Sequence, residues 1–183
     1  MKYTWQGQIL SVIVTHIEAA FLFFVVWMIA IGVTGTHMGG LIYSIISAIF
    51  YGIMMYSQGY AIEKNDKKNY SKLNPIWYKG AVVALGLVLL NGLVLLLYKF
   101  AWTAGSDGEA LVKLWAVIGN VACLFWFSPY MNLLGLESGN MAFYGYAVII
   151  LFHTLMCFLG YFAGYKNFDI SAKLKFLVYE KKK

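Results

Sequence analysis

Side chains that can hold a proton or exchange hydrogen bonds stand inside the long apolar stretches of this 183-residue chain. Ionisable groups within a membrane span are costly and usually mark a pathway or a binding site, while amides and hydroxyls there join helices or line a path. We expect such residues to form an intramembrane polar site if the fold brings them together. The candidates are Ser11, Thr15, Glu18, Asn91, Asn120 and His153.

Glu18 is the leading candidate. It shares one helical stripe with Ser11 and Thr15, because the three residues recur at spacings of four and three. Two interpretations remain open. Either Glu18 faces a polar cavity open to the cytoplasm, or the stretch from Trp5 to Glu18 lies along the membrane interface and Glu18 contacts headgroup water.

His16 and His153 carry weaker signals. His16 is close to Glu18 in sequence, but residues two apart on a helix point to different sides, so the two do not make a natural pair. His153 lies in the middle of the last apolar run. A single histidine in such a place is more often an interhelical hydrogen-bonding residue than a ligand.

Composition excludes most classes of protein. Hydrophobic residues make up 61% of the chain and charged residues 12%, against about 25% charged in soluble proteins. The net charge of +6 comes from lysines in loops and in the tail, which fits anionic lipid headgroups, and there is no nucleic-acid motif. No catalytic motif appears either. We therefore expect no catalytic residue, no cofactor and no metal, although an enzyme is not excluded.

The elements that must position the polar residues are membrane-spanning helices in a single membrane domain, residues 1–183. A helix needs about 20 apolar residues to cross a bilayer. Four runs read as spans, and a fifth contains Pro129 and reads as either a span or a re-entrant or interfacial segment. The four are Ile9–Val33, Leu41–Ala61, Ala81–Leu97 and Met141–Ala163, and the fifth is Leu111–Leu136.

Lysine placement decides between these layouts. The hydrophilic loop 61–80 has five lysines and the tail 166–183 has six, and lysine-rich segments tend to stay in the cytoplasm. Four spans put the loop and the tail on the same side, whereas five would separate them. We favour an all-α bundle of four full spans plus one re-entrant or interfacial segment, with five spans as the alternative. The tail reads equally as an amphipathic surface helix or as a solvated segment.

Small residues at regular spacing mark surfaces where helices can approach closely. One predicted seam runs along the second span every four residues, and a second lies near the end of the last span. The seam residues are Gly40, Ser44, Ala48, Gly52, Gly160 and Gly164.

Three stretches resemble a pattern found in small uncharacterised polytopic membrane proteins of Gram-positive bacteria: YSQGYAIEKND with the lysine loop ending in KG, then SPYMNLL, then GYFAGYKNF. The resemblance covers most of residues 56–168 in outline, and this chain departs from it at Glu63, where the pattern has Gly. It implies a multi-pass protein of the bacterial cytoplasmic membrane and indicates no activity.

Three hypotheses for function follow. The first is a non-catalytic accessory or assembly subunit whose seams pack against other membrane protein subunits or against its own copies in the lipid bilayer. The second is a small transporter or channel protomer with a polar site around Glu18. The third, with least support, is a membrane enzyme acting on lipid. Nucleic acid is not an expected partner.

Overall fold

The fold is an all-α bundle, seen in a computed structural model that describes residues 4–34, 37–68, 73–107, 110–130, 133 and 143–168. The tail beyond residue 168, and with it the predicted amphipathic helix, lies outside the described residues. The elements in chain order are α1 (Trp5–Thr34), α2 (His37–Asp66), α3 (Lys79–Asp107), α4 (Ala110–Trp126), a short 3₁₀ turn (Ser128–Tyr130) and α5 (Phe143–Tyr165).

Within the part of the chain that the structure describes, three helices, α1, α2 and α3, are long and apolar enough to cross a membrane. The first two have 30 residues each and the third has 29, so each is about 45 Å long at 1.5 Å per residue. Their outer faces are apolar, with exposed leucine, isoleucine and phenylalanine side chains along their length. Such a surface requires a hydrocarbon solvent, and the chain is therefore a membrane protein.

Contacts fix the directions of the helices. Tyr161, near the end of α5, reaches Asp66 at the end of α2, while Phe152, which comes earlier on α5, lies against Gly52, about four turns before the end of α2. The helices α2 and α5 therefore run parallel, and both end where Asp66 lies. Both α1 and α3 begin where α2 ends, since Gln8 and Lys79 also contact Asp66. We call this the Asp66 end of the bundle and the other the opposite end.

The fourth helix enters the bundle without crossing it. It has 17 residues, about 25 Å, which is shorter than the roughly 30 Å hydrocarbon core. It starts at the opposite end, where α3 finishes, and stops at the middle of α3, where Trp126 donates a hydrogen bond to Asn91. The helix α5 starts toward the opposite end, the end at which α4 also starts. The predicted all-α fold is confirmed, and this arrangement of α4 and α5 is the re-entrant one of the two layouts.

The closest helix contact joins α2 and α5 through the predicted glycines. A Cβ atom on Gly160 would overlap the carbonyl oxygen of Tyr56, and one on Gly164 would lie 2.6 Å from Glu63 Oε2. On α2, a Cβ on Gly52 would lie 2.9 Å from Phe152 Cζ. These glycines let two backbones meet, as small residues do in membrane bundles. The seams are therefore used inside the protein, and the buried Gly40 and Ser44 also face its interior.

The hydrophilic connection is shorter than the sequence indicates. The helix α2 continues past Ala61 to Asp66, and α3 already begins at Lys79. The reason is that Glu63, Asp66 and Lys79 are buried rather than solvated. Lys67 crosses to the end of α5, where its Nζ donates to the carbonyl oxygen of Gly164 at 2.7 Å, a carbonyl that also accepts from the backbone N–H of Asn167.

Candidate functional site

Six side chains from every helix and from the 3₁₀ turn meet in the middle of the bundle. We call them the central cluster: His16, Tyr51, Asn91, Trp126, Tyr130 and His153. All but Trp126 are almost completely buried. On α1 and α5, His16 and His153 each lie eight residues from the contacts at the Asp66 end, a rise of about 12 Å. The cluster thus lies deep within the membrane-spanning part of the protein.

Hydrogen bonds run through the cluster in one direction. The indole nitrogen of Trp126 donates to Asn91 Oδ1 at 2.7 Å. This orients the amide so that Asn91 Nδ2 faces Nδ1 of His153 at 3.3 Å. An amide NH₂ group only donates, so Nδ1 accepts and the imidazole proton sits on Nε2. That nitrogen is 3.0 Å from the hydroxyl of Tyr130, which accepts the bond.

The second histidine stands beside this chain of hydrogen bonds. His16 Nδ1 is 2.7 Å from the hydroxyl of Tyr51, and its Nε2 is buried with no hydrogen-bond partner. The two imidazole rings lie 5.7 Å apart between centroids. The rings of Tyr51 and Trp126 fill the remaining sides, 4.6 Å from His153 and 4.5 Å from His16 respectively.

The end of the re-entrant segment is fastened to two spanning helices. The hydroxyl of Ser128 donates to the carbonyl oxygen of Ala20 on α1 at 2.8 Å. The hydroxyl of Ser47 on α2 donates to the carbonyl oxygen of Pro129 at 2.8 Å. Non-helical backbone at membrane depth must be satisfied by protein, because lipid offers no hydrogen bonds. These bonds hold Tyr130 against His153.

A second polar group, the Asp66 cluster, closes the Asp66 end of the bundle. Asp66 Oδ2 accepts from Lys79 Nζ at 2.5 Å and from the hydroxyl of Tyr161 at 3.0 Å. Its Oδ1 accepts from Gln8 Nε2 at 2.6 Å. Lys79 is fully buried and lies 4.7 Å from the ring centroid of Trp5. Four helices are therefore joined at one carboxylate, with an aromatic ring over the lysine.

An apolar layer separates the two clusters. On α1, α2, α3 and α5, buried side chains occupy the turns between the residues of the central cluster and those of the Asp66 cluster. These residues are Val12, Met55, Val83, Leu87 and Cys157. Polar contact between the clusters therefore requires this layer to separate.

An apolar groove of about 1090 Å³ lies between α1, α3 and α4 in the opposite half of the bundle. Phe24, Leu97, Trp115 and Phe125 contribute to its walls, and Trp126 of the central cluster lies at its inner limit. The groove connects the membrane-facing surface with the edge of the cluster.

The structure brings together only part of the predicted polar set. Asn91 and His153 join in the central cluster, whereas Asn120 lies on α4 outside it, with a buried Oδ1 that has no hydrogen-bond partner. The hydroxyls of Ser11 and Thr15 donate to the carbonyls of their own helix. Glu18 is exposed on the outer face of α1, because it lies about 80° around the helix from the buried Gln8 at 3.6 residues per turn.

Several members of both clusters do not stand out in the sequence. His16 has the wrong spacing to pair with Glu18, but it falls four and eight residues after the buried Val12 and Gln8 and so shares their face. That spacing was the available signal. Asp66 and Lys79 were read as loop charges, and no local pattern indicates that two residues 13 positions apart form a buried pair.

Within the described ranges, no three His, Cys, Asp or Glu side chains are grouped so that they would hold a metal ion. No protein-family model, curated protein or solved structure matches this chain. The fold and its interior define the class of protein as a helical membrane protein with a re-entrant helix that ends at a buried polar cluster.

Proposed function

We propose that this chain is a small transport protein of the bacterial cytoplasmic membrane that moves protons, alone or together with a solute, through the central cluster. The observation that carries the proposal is the pair of buried histidines, His16 and His153, held at membrane depth by Tyr51, Asn91 and Tyr130. The site differs from the sequence-based hypothesis, since its centre is the histidine pair and not Glu18.

The chemistry of the cluster suits proton movement. Histidine is the side chain whose unperturbed charge change falls nearest neutral pH. Ionisable residues inside membrane proteins mark proton and substrate pathways. His153 both accepts and donates a hydrogen bond here, and His16 has one buried ring nitrogen, Nε2, with no hydrogen-bond partner. A re-entrant segment that ends at mid-depth is also a recurrent way to build transporter sites.

The closure of the Asp66 end supports the same function. The Asp66 cluster and the apolar layer lie between the central cluster and that end, so the structure corresponds to a conformation closed on this side. Transport then requires α1 and α3 to move away from α2 and α5, with Asp66 exchanging Lys79 and Gln8 for water. A gate built from one carboxylate with several partners can open in this way.

The positions of the lysines favour an orientation in which the Asp66 end faces the cytoplasm. Lys64, Lys67, Lys68 and Lys166 are exposed there, and short lysine-rich loops are retained on the cytoplasmic side. In this orientation the groove and the start of α4 belong to the outer half of the membrane.

Proton flux into liposomes tests the proposal. Purified protein is reconstituted into liposomes that enclose a pH-sensitive dye. These liposomes are expected to lose an imposed pH gradient faster than protein-free liposomes do. His153→Gln and His16→Gln are expected to lower that flux at least about tenfold, because an amide cannot take up a proton. Thr154→Val, next to His153 but bonded only to its own helix, is the matched control. Unchanged flux in the double histidine variant would reject the proposal.

A second candidate is the non-catalytic subunit of a membrane complex, favoured by the outward position of Glu18. A charged side chain at the centre of a lipid-facing helix costs about 2.5–3.5 kcal/mol, which contact with another protein would offset. The glycine seams no longer support this candidate, because they pack inside the bundle. Co-purification in mild detergent, compared between the natural chain and Glu18→Leu, tests it.

A further inference from the structure

A hydrogen bond between two side chains joins α1 and α2 at the level of the apolar layer. Gln58 Nε2 on α2 donates to Ser11 Oγ on α1 at 2.7 Å. Gln58 comes seven residues after Tyr51 of the central cluster and eight before Asp66, which places it about 10 Å from the first and about 12 Å from the second along the helix. Both side chains are half-buried, and the pair lies between the two clusters.

This hydrogen bond is connected to the Asp66 cluster through Gln8. The hydroxyl of Ser11 donates to the backbone carbonyl oxygen of Gln8 at 2.8 Å, and the side-chain amide of Gln8 donates to Asp66. Gln8 Oε1 is buried and has no hydrogen-bond partner within the described part of the chain. A buried acceptor without a donor is unfavourable, and contact with water would remove that cost. The polar side of α1 therefore favours entry of water from the Asp66 end.

The neighbouring boundaries between helices are closed at this level by other kinds of contact. Between α2 and α5, a Cβ atom on Gly59 would overlap the carbonyl oxygen of Cys157. Between α1 and α3, a Cβ atom on Gly86 would overlap the side chain of Ile9. The contact between Gln58 and Ser11 is different, because an amide and a hydroxyl can each exchange their mutual hydrogen bond for bonds to water.

We propose that Gln58 and Ser11 line the route by which water and protons pass between the Asp66 end and the central cluster, and that their mutual hydrogen bond closes this route. The proposal rests on proton transport through the central cluster and adds two positioning residues to it. When α1 moves away from α2, both side chains bond to the water that carries the proton, and neither takes the proton up. The route then reaches His16, five residues beyond Ser11 on α1, a rise of about 7.5 Å.

Proton flux in the liposomes described above tests the role of Gln58. Gln58→Leu keeps the bulk of the side chain but cannot bond to water, and it should lower the flux at least about fivefold. Gln58→Asn keeps the amide and should retain most of the flux. Ser57→Val is the matched control, because Ser57 is the preceding residue but is exposed on the outer face of α2. Flux in Gln58→Leu equal to that in Ser57→Val would overturn the proposal, as would equal losses in the Leu and Asn variants.

Cysteine labelling in the same liposomes detects the route without a flux measurement. A charged thiol reagent reacts with a thiolate in water, and hydrocarbon excludes both. Gln58→Cys should react with it from the side on which the Asp66 end lies, whereas Leu89→Cys on α3, 75% exposed on the outer face, should not react. The natural cysteines, Cys123 and Cys157, are buried, and the natural chain reports their background.

The two measurements distinguish a wrong route from a wrong function. A natural chain that conducts no protons would reject transport, whatever the labelling at position 58. A chain that conducts protons while Gln58→Cys reacts no faster than Leu89→Cys would overturn the route and leave transport through the histidines in place.

Discussion

Removal of the lysine from the buried ion pair at the Asp66 end should destabilise the protein strongly. Lys79 and Asp66 both have fully buried side chains, and Nζ lies 2.5 Å from Oδ2. In Lys79→Met the carboxylate keeps Gln8 and Tyr161 as hydrogen-bond donors but loses its counter-charge. Breaking a buried pair from one side typically costs about 3–5 kcal/mol, and the two remaining donors place the expected loss near the lower figure, at about 3 kcal/mol.

The compensating double variant identifies the cause of that loss. Asp66→Asn leaves Lys79 buried without an opposite charge and should cost at least as much as Lys79→Met. In Asp66→Asn/Lys79→Met no unpaired charge remains. The loss of stability in the double variant should therefore be smaller than the sum of the two single losses by about 2 kcal/mol or more. Lys64→Met is the control, since Lys64 is an exposed lysine on α2; it loses only a contact with the Tyr60 ring and should change stability by less than about 1 kcal/mol.

The assay is reversible unfolding in mixed micelles as the fraction of denaturing detergent increases, followed by helix content. Additive losses in the double variant would refute the reasoning, because they would mean that the two charges do not stabilise each other. A loss in Lys79→Met no greater than that of Lys64→Met would have the same consequence.

Three further predictions concern packing, the central cluster and topology. Gly160→Ala should destabilise the protein by about 1–3 kcal/mol, because its Cβ would overlap the backbone of α2. Gly92→Ala on α3, which has open space around it, should be neutral or stabilise by up to about 1 kcal/mol. The same unfolding assay compares the two variants. Trp126→Phe removes the indole donor to the central cluster and should cost about 0.6–1.7 kcal/mol in that assay. An unchanged stability of this variant would contradict a stabilising hydrogen bond. Single cysteines at Lys166 and Lys113 should react with an impermeant maleimide from opposite sides of sealed vesicles, and labelling from one side would contradict the re-entrant path.

Much of the fold was predictable because hydropathy and lysine placement are local signals. Helices cross a bilayer only where about 20 apolar residues follow one another, and Pro129 with its neighbours indicated the irregular segment. The close approach at Gly160 and Gly164 was predicted as well, since only small residues permit it. Whether those glycines face a partner or the same chain depends on which helix is adjacent, and spacing along one helix does not contain that information.

The central cluster could be predicted only in part. Asn91 and His153 stood out because each interrupts an apolar run. His16, Tyr51 and Trp126 did not, since aromatic residues and a histidine in such runs usually serve packing alone. Glu18 does not lie with Asn91 and His153, because α1 is rotated so that Glu18 faces outward and His16 faces inward.

The sequence by itself determined that this is a multi-pass helical membrane protein, which segments are apolar enough for hydrocarbon, and which residues are too polar for lipid, because each of these properties follows from the free energy of placing a local segment in hydrocarbon. Only the tertiary structure decided which of those polar residues meet. The pairing of Asp66 with Lys79 and the approach of His16 to His153 depend on how separate helices rotate and tilt against each other, and that is fixed by the summed packing of all five.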